Sequence, residues 1–385
     1  MNILIVHNEY IYKGGEETVI NTESEILKSF GNNLFFYKRK SKEIEDMNIF
    51  QKIATFFGII YSYKTYREVS KIIKEESIDV VHVHNIFPLI SFSVYYAAKK
   101  NNCKLVQTLH NFRFLCPKGL LFRDGKICED CLKNGLKCAI KHNCYRESKL
   151  QTILLVLVLS IHKILGTFNK PDSYIVMTEF NKNIFRKYLP EEKIEIRSQF
   201  FKGNKILSDS CSHKNYVIIS RLEDSKGIQI AINAFKELKD KELIIIGKGQ
   251  CEKKYKDFIE NNNINNIKML GYKENNEVLE YLKNAKALIL PSLWYEGYPM
   301  TIVESIAVGT PIIGSNIGNV NSIIKSEEIG ITYQYDDYRE LIKSVELLEK
   351  DDNLYSKLLE NAKKAFDKYH STSSLYKETE RIYKQ

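Results

Sequence analysis

The stretch ALILPSLWYEGYPMTIVESIAVGTP, residues 287–311, joins an apolar run, a polar loop and a helical pattern. The apolar run at 287–293 is typical of a short buried strand. Pro299 suits the first turn of a helix, because its fixed φ and its missing N–H cost nothing there. Gly309 followed by Pro311 predicts the end of that helix. The stretch therefore predicts a strand, a loop and a helix in succession, which is the repeating unit of an α/β fold.

The loop and the start of this helix form a candidate binding site. Glu296 lies on the predicted loop, and Glu304 is expected about two turns into the helix. Backbone N–H groups at a helix start are available to an anionic or hydroxyl-rich ligand, and here they belong to Tyr298, Met300 and Thr301. An amphipathic helix with a solvated glutamate at each end explains the spacing equally well.

Composition places the chain among globular proteins of two domains. The 385 residues are 44% hydrophobic and 27% charged. The first residues, MNILIVHNEY, lack a secretory signal, so we expect a cytoplasmic protein whose eight cysteines are thiols or metal ligands. Residues 1–200 contain 30 Lys and Arg against 21 Asp and Glu, whereas the remainder contains 27 of each, so the net charge of +9 lies in the first half. This charge favours an anionic partner such as a membrane surface, although solvated lysine-rich faces would give the same count.

The first half repeats the α/β pattern. Apolar runs predict strands at 2–7, 34–39, 79–85, 104–112, 173–180 and 193–200. A loop with Gly14 and Gly15 follows the first strand and opens a helix, an arrangement that brings a phosphate close to the backbone. His7, His84 and His110 stand at strand ends, where a parallel sheet binds its ligands, and His110 is the strongest functional candidate.

Two segments of the first half depart from this pattern. Residues 112–148 lack periodicity and contain Cys128, Cys131, Cys138 and Cys144, which favour either a structural zinc site or plain reduced thiols. Residues 150–168 are the most apolar segment, but their uninterrupted part is too short to span a bilayer. We expect a buried or membrane-docking helix there. Residues 43–77 mix aromatics with lysines and predict a helix that packs on the sheet or lies on a membrane.

The second half restarts the α/β pattern after a polar linker at 202–215. A strand at 215–222 ends in Arg221, and Lys226 opens the next helix, so two cations stand where a diphosphate would need them, although solvated side chains are the alternative. The run at 242–250 ends in Gly247-x-Gly249, which would let a flat ring approach the backbone. We predict two Rossmann-like domains facing each other across a cleft. The predicted divisions are 1–202, with the insertion 112–148, then 203–365, and a last helix at 366–385 that is a candidate to pack on the first domain.

Three motifs together resemble the family-4 retaining glycosyltransferases of the GT-B fold. They are SRLEDSKGI (220–228), PSLWYEGYPMTIVESIAVGTPII (291–313) and the GGEE loop (14–17), and the likeness covers nearly the whole chain. The cysteine-containing stretch is similar to an insertion in a subset of these enzymes that assemble polysaccharides. The resemblance implies transfer of a sugar, with retention, from a UDP- or GDP-sugar. The sequence has no Asp-x-Asp metal motif, so we expect transfer without a metal. The basic, aromatic-rich first half favours an acceptor hydroxyl on a glycan or on a membrane-bound, polyprenyl-pyrophosphate-linked sugar.

The resemblance also implies roles for individual residues. Arg221 and Lys226 would neutralise the diphosphate, Glu304 would contact the ribose, and Glu296 would hold hydroxyls of the donor sugar. His110 would lie near that sugar at the reaction centre. The implied donor-binding residues are Gly14, Gly15, Gly247, Gly249, Gly297, Tyr298, Pro299, Met300, Thr301 and Glu304. Glu16 stands where many relatives have a small residue, so its role is open.

Three other interpretations remain at this point. An inverting GT-B transferase would share the fold, and a GT-B scaffold without activity would share the architecture. A basic nucleic-acid-binding module is the third, but it would need base-stacking aromatics on a recognised fold, and no such module is visible in the sequence. We therefore expect no nucleic-acid partner and a cytoplasmic protein that associates peripherally with the inner face of the cell membrane.

Overall fold

The computed structural model describes residues 1–11, 15–48, 51, 55, 57–201 and 215–385. These residues form two compact units, each built on a six-stranded parallel sheet covered by helices. Unit 1 comprises residues 1–119, 129–200 and 375–385, and unit 2 comprises residues 120–128 and 201–374. The predicted α/β fold of two Rossmann-like units is confirmed. Gly14 and almost all of the predicted linker at 202–215 lie outside the described residues.

In the described part of the chain, eight strands precede the second large sheet. They are β1 (Asn2–Glu9), β2 (Asn33–Lys40), β3 (Val80–Val83), β4 (Lys104–Thr108), β5 (Phe122–Arg123), β6 (Lys126–Ile127), β7 (Ser173–Val176) and β8 (Ile194–Ile196). The sheet of unit 1 has the order β2-β1-β3-β4-β7-β8, whereas β5 and β6 pair only with each other, as an antiparallel hairpin. The helices between these strands are α1 (Gly15–Ser29), α2 (Tyr63–Glu75), α3 (Ser93–Lys100), α4 (Asp130–Asn134), α5 (Lys137–Lys141), α6 (Lys149–Ile164) and α7 (Glu179–Phe185).

The sheet of unit 2 has six strands. They are β9 (Asn215–Ile219), β10 (Glu242–Ile246), β11 (Ile267–Gly271), β12 (Ala285–Leu290), β13 (Ile312–Ser315) and β14 (Gly330–Tyr333). Their order in the sheet is β11-β10-β9-β12-β13-β14. The remaining helices are α8 (Ile228–Glu237), α9 (Glu252–Asn261), α10 (Asn275–Lys283), α11 (Met300–Val308), α12 (Gly318–Glu327), α13 (Tyr338–Lys350), α14 (Asp352–Ala365) and α15 (Thr372–Lys384).

The core of unit 1 includes the end of the chain. Ile3 and Ile5 of β1 pack in one apolar cluster with Ile382 and Tyr383 of α15, and all four side chains are buried. A short π-helix (Phe366–His370) separates α14 from α15. Residues 375–385 thus belong to the core of unit 1, where they pack beside β1.

A buried polar network lies beneath this core. Arg197 donates to both carboxylate oxygens of Glu23 in α1 and to the hydroxyl of Thr379, 3.1 Å away, in α15. The hydroxyl of Tyr383 is hydrogen-bonded to Nδ1 of His82, and Nε2 of His82 to the Thr108 hydroxyl, both at 2.7 Å. Glu23 and His82 also lie near His84. Because the His82 nitrogens and the Glu23 oxygens already have partners, these residues form a hydrogen-bond network rather than a metal site.

The structure corrects several predicted boundaries. Strand β4 ends at Thr108 rather than at residue 112, and β9 ends at Ile219 rather than at residue 222. Pro299 precedes helix α11 instead of forming its first helical residue, and Glu304 lies little more than one turn into that helix, not two. The longer estimate counted loop residues as helix. Among the described residues, no helix combines the length and apolar character that crossing a bilayer requires.

Candidate active site

The loop after β9 is fixed against the loop after β12 in unit 2. Gly227 has a φ of +65°, and a Cβ there would lie 1.8 Å from the carbonyl oxygen of Pro291, so no other residue fits. The N–H of Leu293 donates to the carbonyl of Ser225 at 2.9 Å. These contacts place Lys226, the last residue of a short 3-10 helix, directly beside the second loop.

Lys226 and Glu296 form a two-pronged ion pair at the centre of the site. Nζ of Lys226 lies 2.7 and 2.9 Å from the two carboxylate oxygens of Glu296. The hydroxyl of Ser292 donates to Oε1 of Glu296 at 2.6 Å, and the indole N–H of Trp294 donates to the same oxygen at 3.0 Å. Only 6% of Glu296 is exposed. The carboxylate is therefore held in one orientation by three side chains.

Asn319 holds the backbone of the same loop. Its side-chain amide donates to the carbonyl oxygens of both Glu296 and Gly297. Asn319 lies in the first turn of α12 and is fully buried. The loop that carries Glu296 is thus anchored by α12 as well as by Lys226, a rigidity that suits preorganised charge.

A cavity of about 470 Å³ opens at the carboxyl ends of the strands in unit 2. Eight of the sequence-predicted residues line it, namely Arg221, Lys226, Gly247, Glu296, Pro299, Met300, Thr301 and Glu304. Gly249, Gly297 and Tyr298 do not form its wall. Lys248 and Lys273 add two cations, and Ile218, Ile246 and Ile289 supply an apolar part of the wall. The cavity therefore combines positive charge, two carboxylates and an apolar surface.

The two predicted cations differ in their surroundings. Lys226 is largely buried, whereas the side chain of Arg221 is 69% exposed and lies 2.9 Å from the Glu223 carboxylate. An exposed ion pair of this kind contributes little, so the Arg221 guanidinium can leave Glu223 for a stronger anionic partner.

Glu304 forms another part of the cavity wall. Its carboxylate accepts a hydrogen bond from the Asn275 amide at 2.9 Å. Burial raises the pKa of Glu304 above its ordinary value, and the Asn275 hydrogen bond partly opposes this rise. A ligand hydroxyl donating to Glu304 would stabilise the ionised form further.

Two glycines of the predicted ring-binding motif have different roles. Gly247 lines the cavity with a φ of +139°, and a Cβ there would lie 1.9 Å from the carbonyl oxygen of Ser220. Gly249 instead lets the backbone of Leu222 approach, since a Cβ would lie 2.4 Å from that carbonyl oxygen. Packing between adjacent loops thus accounts for both glycines.

The predicted residues of unit 1 lie at the carboxyl ends of its strands. Gly15 begins α1 and is exposed. Nε2 of His110 lies 2.9 Å from Nδ1 of His84, and the two rings are stacked. Burial lowers the pKa of His110 to about 3 and that of His84 well below its ordinary value. His110 is therefore a neutral hydrogen-bonding group at physiological pH, not a cation.

The four predicted zinc ligands lie on short elements. Cys128 follows β6, Cys131 lies in α4, Cys138 lies in α5, and Cys144 follows α5. All four side chains are half-buried. The structural zinc site stays a prediction.

Sequence reasoning missed the residues that hold the predicted ones in place. Trp294 and Ser292 bind Glu296, Asn319 binds the loop backbone, and Asn275 binds Glu304. Trp294 is the single tryptophan of the chain and lies two residues from Glu296, which is the one signal that could have indicated its role. Nothing in the local pattern connects Asn275 or Asn319 with the site.

Comparison with known proteins identifies the family and the fold to which the chain is similar. The profile described as "Glycosyltransferase Family 4" matches residues 14–198, and the profile described as "Glycosyl transferases group 1" matches residues 211–365. An uncharacterized glycosyltransferase of Methanocaldococcus jannaschii is 24% identical over 375 residues, which cover 96% of this chain and 94% of that protein.

Two further proteins illustrate the range of relatives. The UDP-Gal:alpha-D-GlcNAc-diphosphoundecaprenol alpha-1,3-galactosyltransferase of Escherichia coli is 24% identical over 297 residues, covering 75% of this chain and 70% of that one. The crystal structure of Anabaena HepE in complex with UDP superposes with a TM-score of 0.70 at 14% identity, over the full length of both chains. Since the two profiles together span nearly all of the chain and the architecture is shared, the chain belongs to the family-4 glycosyltransferases of the GT-B fold.

Proposed function

We propose that this glycosyltransferase moves a sugar, with retention of anomeric configuration, from a nucleoside-diphosphate sugar to a glycan or lipid-linked hydroxyl. The proposed setting is the assembly of a cell-surface polysaccharide. The observation that carries the proposal is the cavity of unit 2, which the Lys226–Glu296 pair and Glu304 line together. The names of relatives that act in amylovoran synthesis and on diphosphoundecaprenol-linked sugars support the setting.

Each part of a nucleotide-sugar has a matching part of the cavity. The apolar wall near Ile218 and Ile246 suits the flat base, and Glu304 suits the ribose hydroxyls. Lys226 and Arg221 suit the diphosphate, whose charge grows as the glycosidic bond breaks. Glu296, which Ser292 and Trp294 hold in place, suits acceptance of hydrogen bonds from hydroxyls of the sugar.

The proposed chemistry needs no metal ion. Expulsion of a nucleoside diphosphate passes through an oxocarbenium-like state, which fixed positive charge on the leaving group stabilises. Lys226 and Arg221 supply that charge, while the leaving phosphate accepts the proton of the attacking hydroxyl on the same face. His110, being neutral, would orient a hydroxyl of the donor sugar and not serve as a cation.

Ligand binding and product analysis test this function. We expect UDP or GDP, and their sugar conjugates, to raise the melting temperature, since a ligand at 100 times its Kd adds about 2.7 kcal/mol to the stability of the folded state. UMP, which lacks the second phosphate, is the matched control and should stabilise less. The selected nucleotide-sugar is then incubated with polyprenyl-diphosphate-linked acceptors, and proton NMR of the product should show the anomeric configuration of the donor.

Two results would contradict the proposal. Failure of every nucleoside diphosphate to stabilise the protein would exclude the nucleotide site. An inverted linkage in the product would exclude retention and favour the inverting alternative.

We also propose that unit 1 rests on an anionic membrane surface. Leu150, Ile153, Leu157, Ile164 and Leu165 form an exposed apolar stripe along α6 and the residue after it. Lys149 and Lys163 flank this stripe. Nearby in the fold, His162 of α6 is hydrogen-bonded to the carbonyl of Ile60, which lies just before α2.

Helix α2 adds a basic groove to the same unit. Its cations are Lys64, Arg67, Lys71, Lys74 and, from the end of α3, Lys100. Exposed Tyr63 and Phe57 lie at the start of this region. Apolar side chains among cations favour an interfacial position on anionic lipid, where each cation contributes about 1 kcal/mol.

Replacing Leu150 and Leu157 by Glu is expected to weaken binding to vesicles of phosphatidylcholine and phosphatidylglycerol. Burial of one leucine contributes about 1.5–3 kcal/mol, so we expect about tenfold or more per residue in a sedimentation assay. Binding of the wild type should also fall as salt is added.

Leu347→Glu is the matched control, since Leu347 is exposed on α13 of unit 2 and should leave vesicle binding unchanged. Equal binding of the wild type and the Leu150/Leu157 variant would exclude the apolar stripe as the docking surface.

A further inference from the structure

Glu16 lies in a cluster of buried polar groups at the carboxyl ends of β1, β3 and β4. Its carboxylate accepts a hydrogen bond from the Tyr10 hydroxyl at 3.2 Å, and the Tyr10 hydroxyl also accepts from the Asn111 amide at 3.4 Å. Nδ1 of His7 is 3.7 Å from Oε1 of Glu16, which is too long for a hydrogen bond. The Glu16 side chain is only 12% exposed.

Several polar atoms of this cluster lack a hydrogen-bond partner within the described part of the chain. They are both ring nitrogens of His7, Oε1 of Glu16, Nε2 of His84 and Nε of Arg113. A buried polar atom without a partner costs about 1–3 kcal/mol. So many in one place indicate that a polar group from outside the protein completes the cluster.

A small cavity of about 20 Å³ adjoins the Glu16, His84 and Arg113 members of this cluster. Its walls include Glu16, His84, His110, Asn111 and Arg113. This volume accommodates one water molecule or one hydroxyl group. A hydroxyl can donate to the Glu16 carboxylate while it accepts from the Arg113 guanidinium or a histidine N–H. An anion would be repelled by Glu16.

We propose that Glu16 is a specificity-determining residue that accepts a hydrogen bond from one sugar hydroxyl bound in this cavity beside His110. The inference rests on the glycosyl-transfer function proposed above, and the hydroxyl belongs either to the donor sugar or to the acceptor.

Glu16 is also suited to titrate near neutral pH. Burial raises its pKa to about 7, with the Tyr10 hydrogen bond and the Arg113 charge opposing the rise and Glu17 adding to it. Burial, together with Lys38, lowers the pKa of His7 to about 4. Since burial also lowers the pKa values of His84 and His110, Glu16 rather than a histidine should lose its charge as the pH falls through 7.

Glu16→Gln tests the proposal, because glutamine keeps the shape and can still accept from Tyr10 but carries no charge. We expect the wild-type kcat/KM to fall below pH 7, and the variant to lack this acid limb. The KM of the substrate that supplies the hydroxyl should rise about tenfold to a hundredfold, as for a hydrogen bond to a charged group. Tyr10→Phe removes a hydrogen bond that favours the carboxylate, so its acid limb should move to higher pH.

Two assays identify the source of the hydroxyl. Calorimetric affinities for UDP and UDP-glucose are compared at pH 6 and pH 8, without any turnover. A donor hydroxyl predicts that only UDP-glucose binds more weakly at pH 6 and that Glu16→Gln removes this difference. An acceptor hydroxyl predicts unchanged donor affinities and an altered KM for the acceptor alone.

Glu25→Gln is the control, since Glu25 is exposed on the same helix. Glu16→Gln with wild-type affinities, KM values and pH profile would overturn the inference and leave transfer itself intact. If the wild type binds UDP-glucose but forms no product, the result would instead count against the transfer function. The affinities at pH 6 and pH 8 would still show whether Glu16 contacts the donor sugar.

Discussion

Lys226→Ala is expected to lower kcat/KM for sugar transfer by a factor of about 10² to 10³, the loss that follows removal of one preorganised charge-stabilising group. The substitution removes the cation that would face the diphosphate as its negative charge grows. It also leaves the Glu296 carboxylate with Ser292 and Trp294 as its remaining partners, so negative charge at the site is no longer balanced. Both effects disfavour a diphosphate beside the Glu296 carboxylate, so the affinity for nucleoside diphosphates should fall as well.

The measurement is initial-rate kinetics with the nucleotide-sugar selected by thermal shift. Lys236→Ala is the matched control, because Lys236 is exposed on α8. Within the described residues, its ammonium group donates a hydrogen bond to the Asn262 side chain alone. Fluorescence of Trp294, the single tryptophan, reports whether the site keeps its structure. Wild-type turnover in a folded Lys226→Ala protein would exclude the proposed role of Lys226.

Arg197→Met should destabilise unit 1 by about 3–5 kcal/mol, since it leaves the buried Glu23 carboxylate without its counter-charge. Burial alone would raise the pKa of Glu23, but the charges of Arg197 and His82 and the Arg197 hydrogen bonds outweigh burial and hold it below its ordinary value. The wild type therefore has this contribution above the unfolded-state pKa of Glu23 and loses it as the pH falls through the lower folded-state value.

Hydrogen exchange followed by mass spectrometry measures this effect in unit 1 alone. Peptides from β1, β3 and α15 should exchange at least about a hundredfold faster in Arg197→Met. Peptides that contain Trp294, in unit 2, should exchange at the wild-type rate and serve as the internal reference. The double variant Glu23→Met/Arg197→Met removes both charges and should recover much of the loss, because an apolar replacement of a buried pair is often nearly neutral. Equal protection from hydrogen exchange in the wild type and in Arg197→Met would contradict a stabilising role for the Glu23–Arg197 ion pair.

Local sequence patterns predicted the fold, and eight of the residues that line the cavity of unit 2, for a physical reason. Stretches such as 243–246 are continuous apolar runs, and Gly227, Pro299 and Gly309 act on the backbone within a few residues of themselves. Lys226 was predicted because a helix start beside a strand end is itself a local feature.

Contacts between distant residues were not predictable in this way. Glu23 and Arg197 are 174 residues apart, and Asn275 meets Glu304 from a different helix. The ion pair between Lys226 and Glu296 spans 70 residues, so each residue was assigned to its ligand but not to the other. The glycine at 249 was assigned to a ligand, whereas the backbone of Leu222 is what requires it.

The placement of residues 375–385 in unit 1 affects the order in which the chain can fold during synthesis. A ribosome releases residues 201–374, which form almost all of unit 2, before it releases the segment that contains Ile382 and Tyr383. Unit 2 can therefore reach its final structure while the core of unit 1 still lacks those side chains and the Thr379 hydroxyl that binds Arg197. Although β1 of unit 1 is synthesised early, the core of unit 1 is completed only after residues 201–374 have been made.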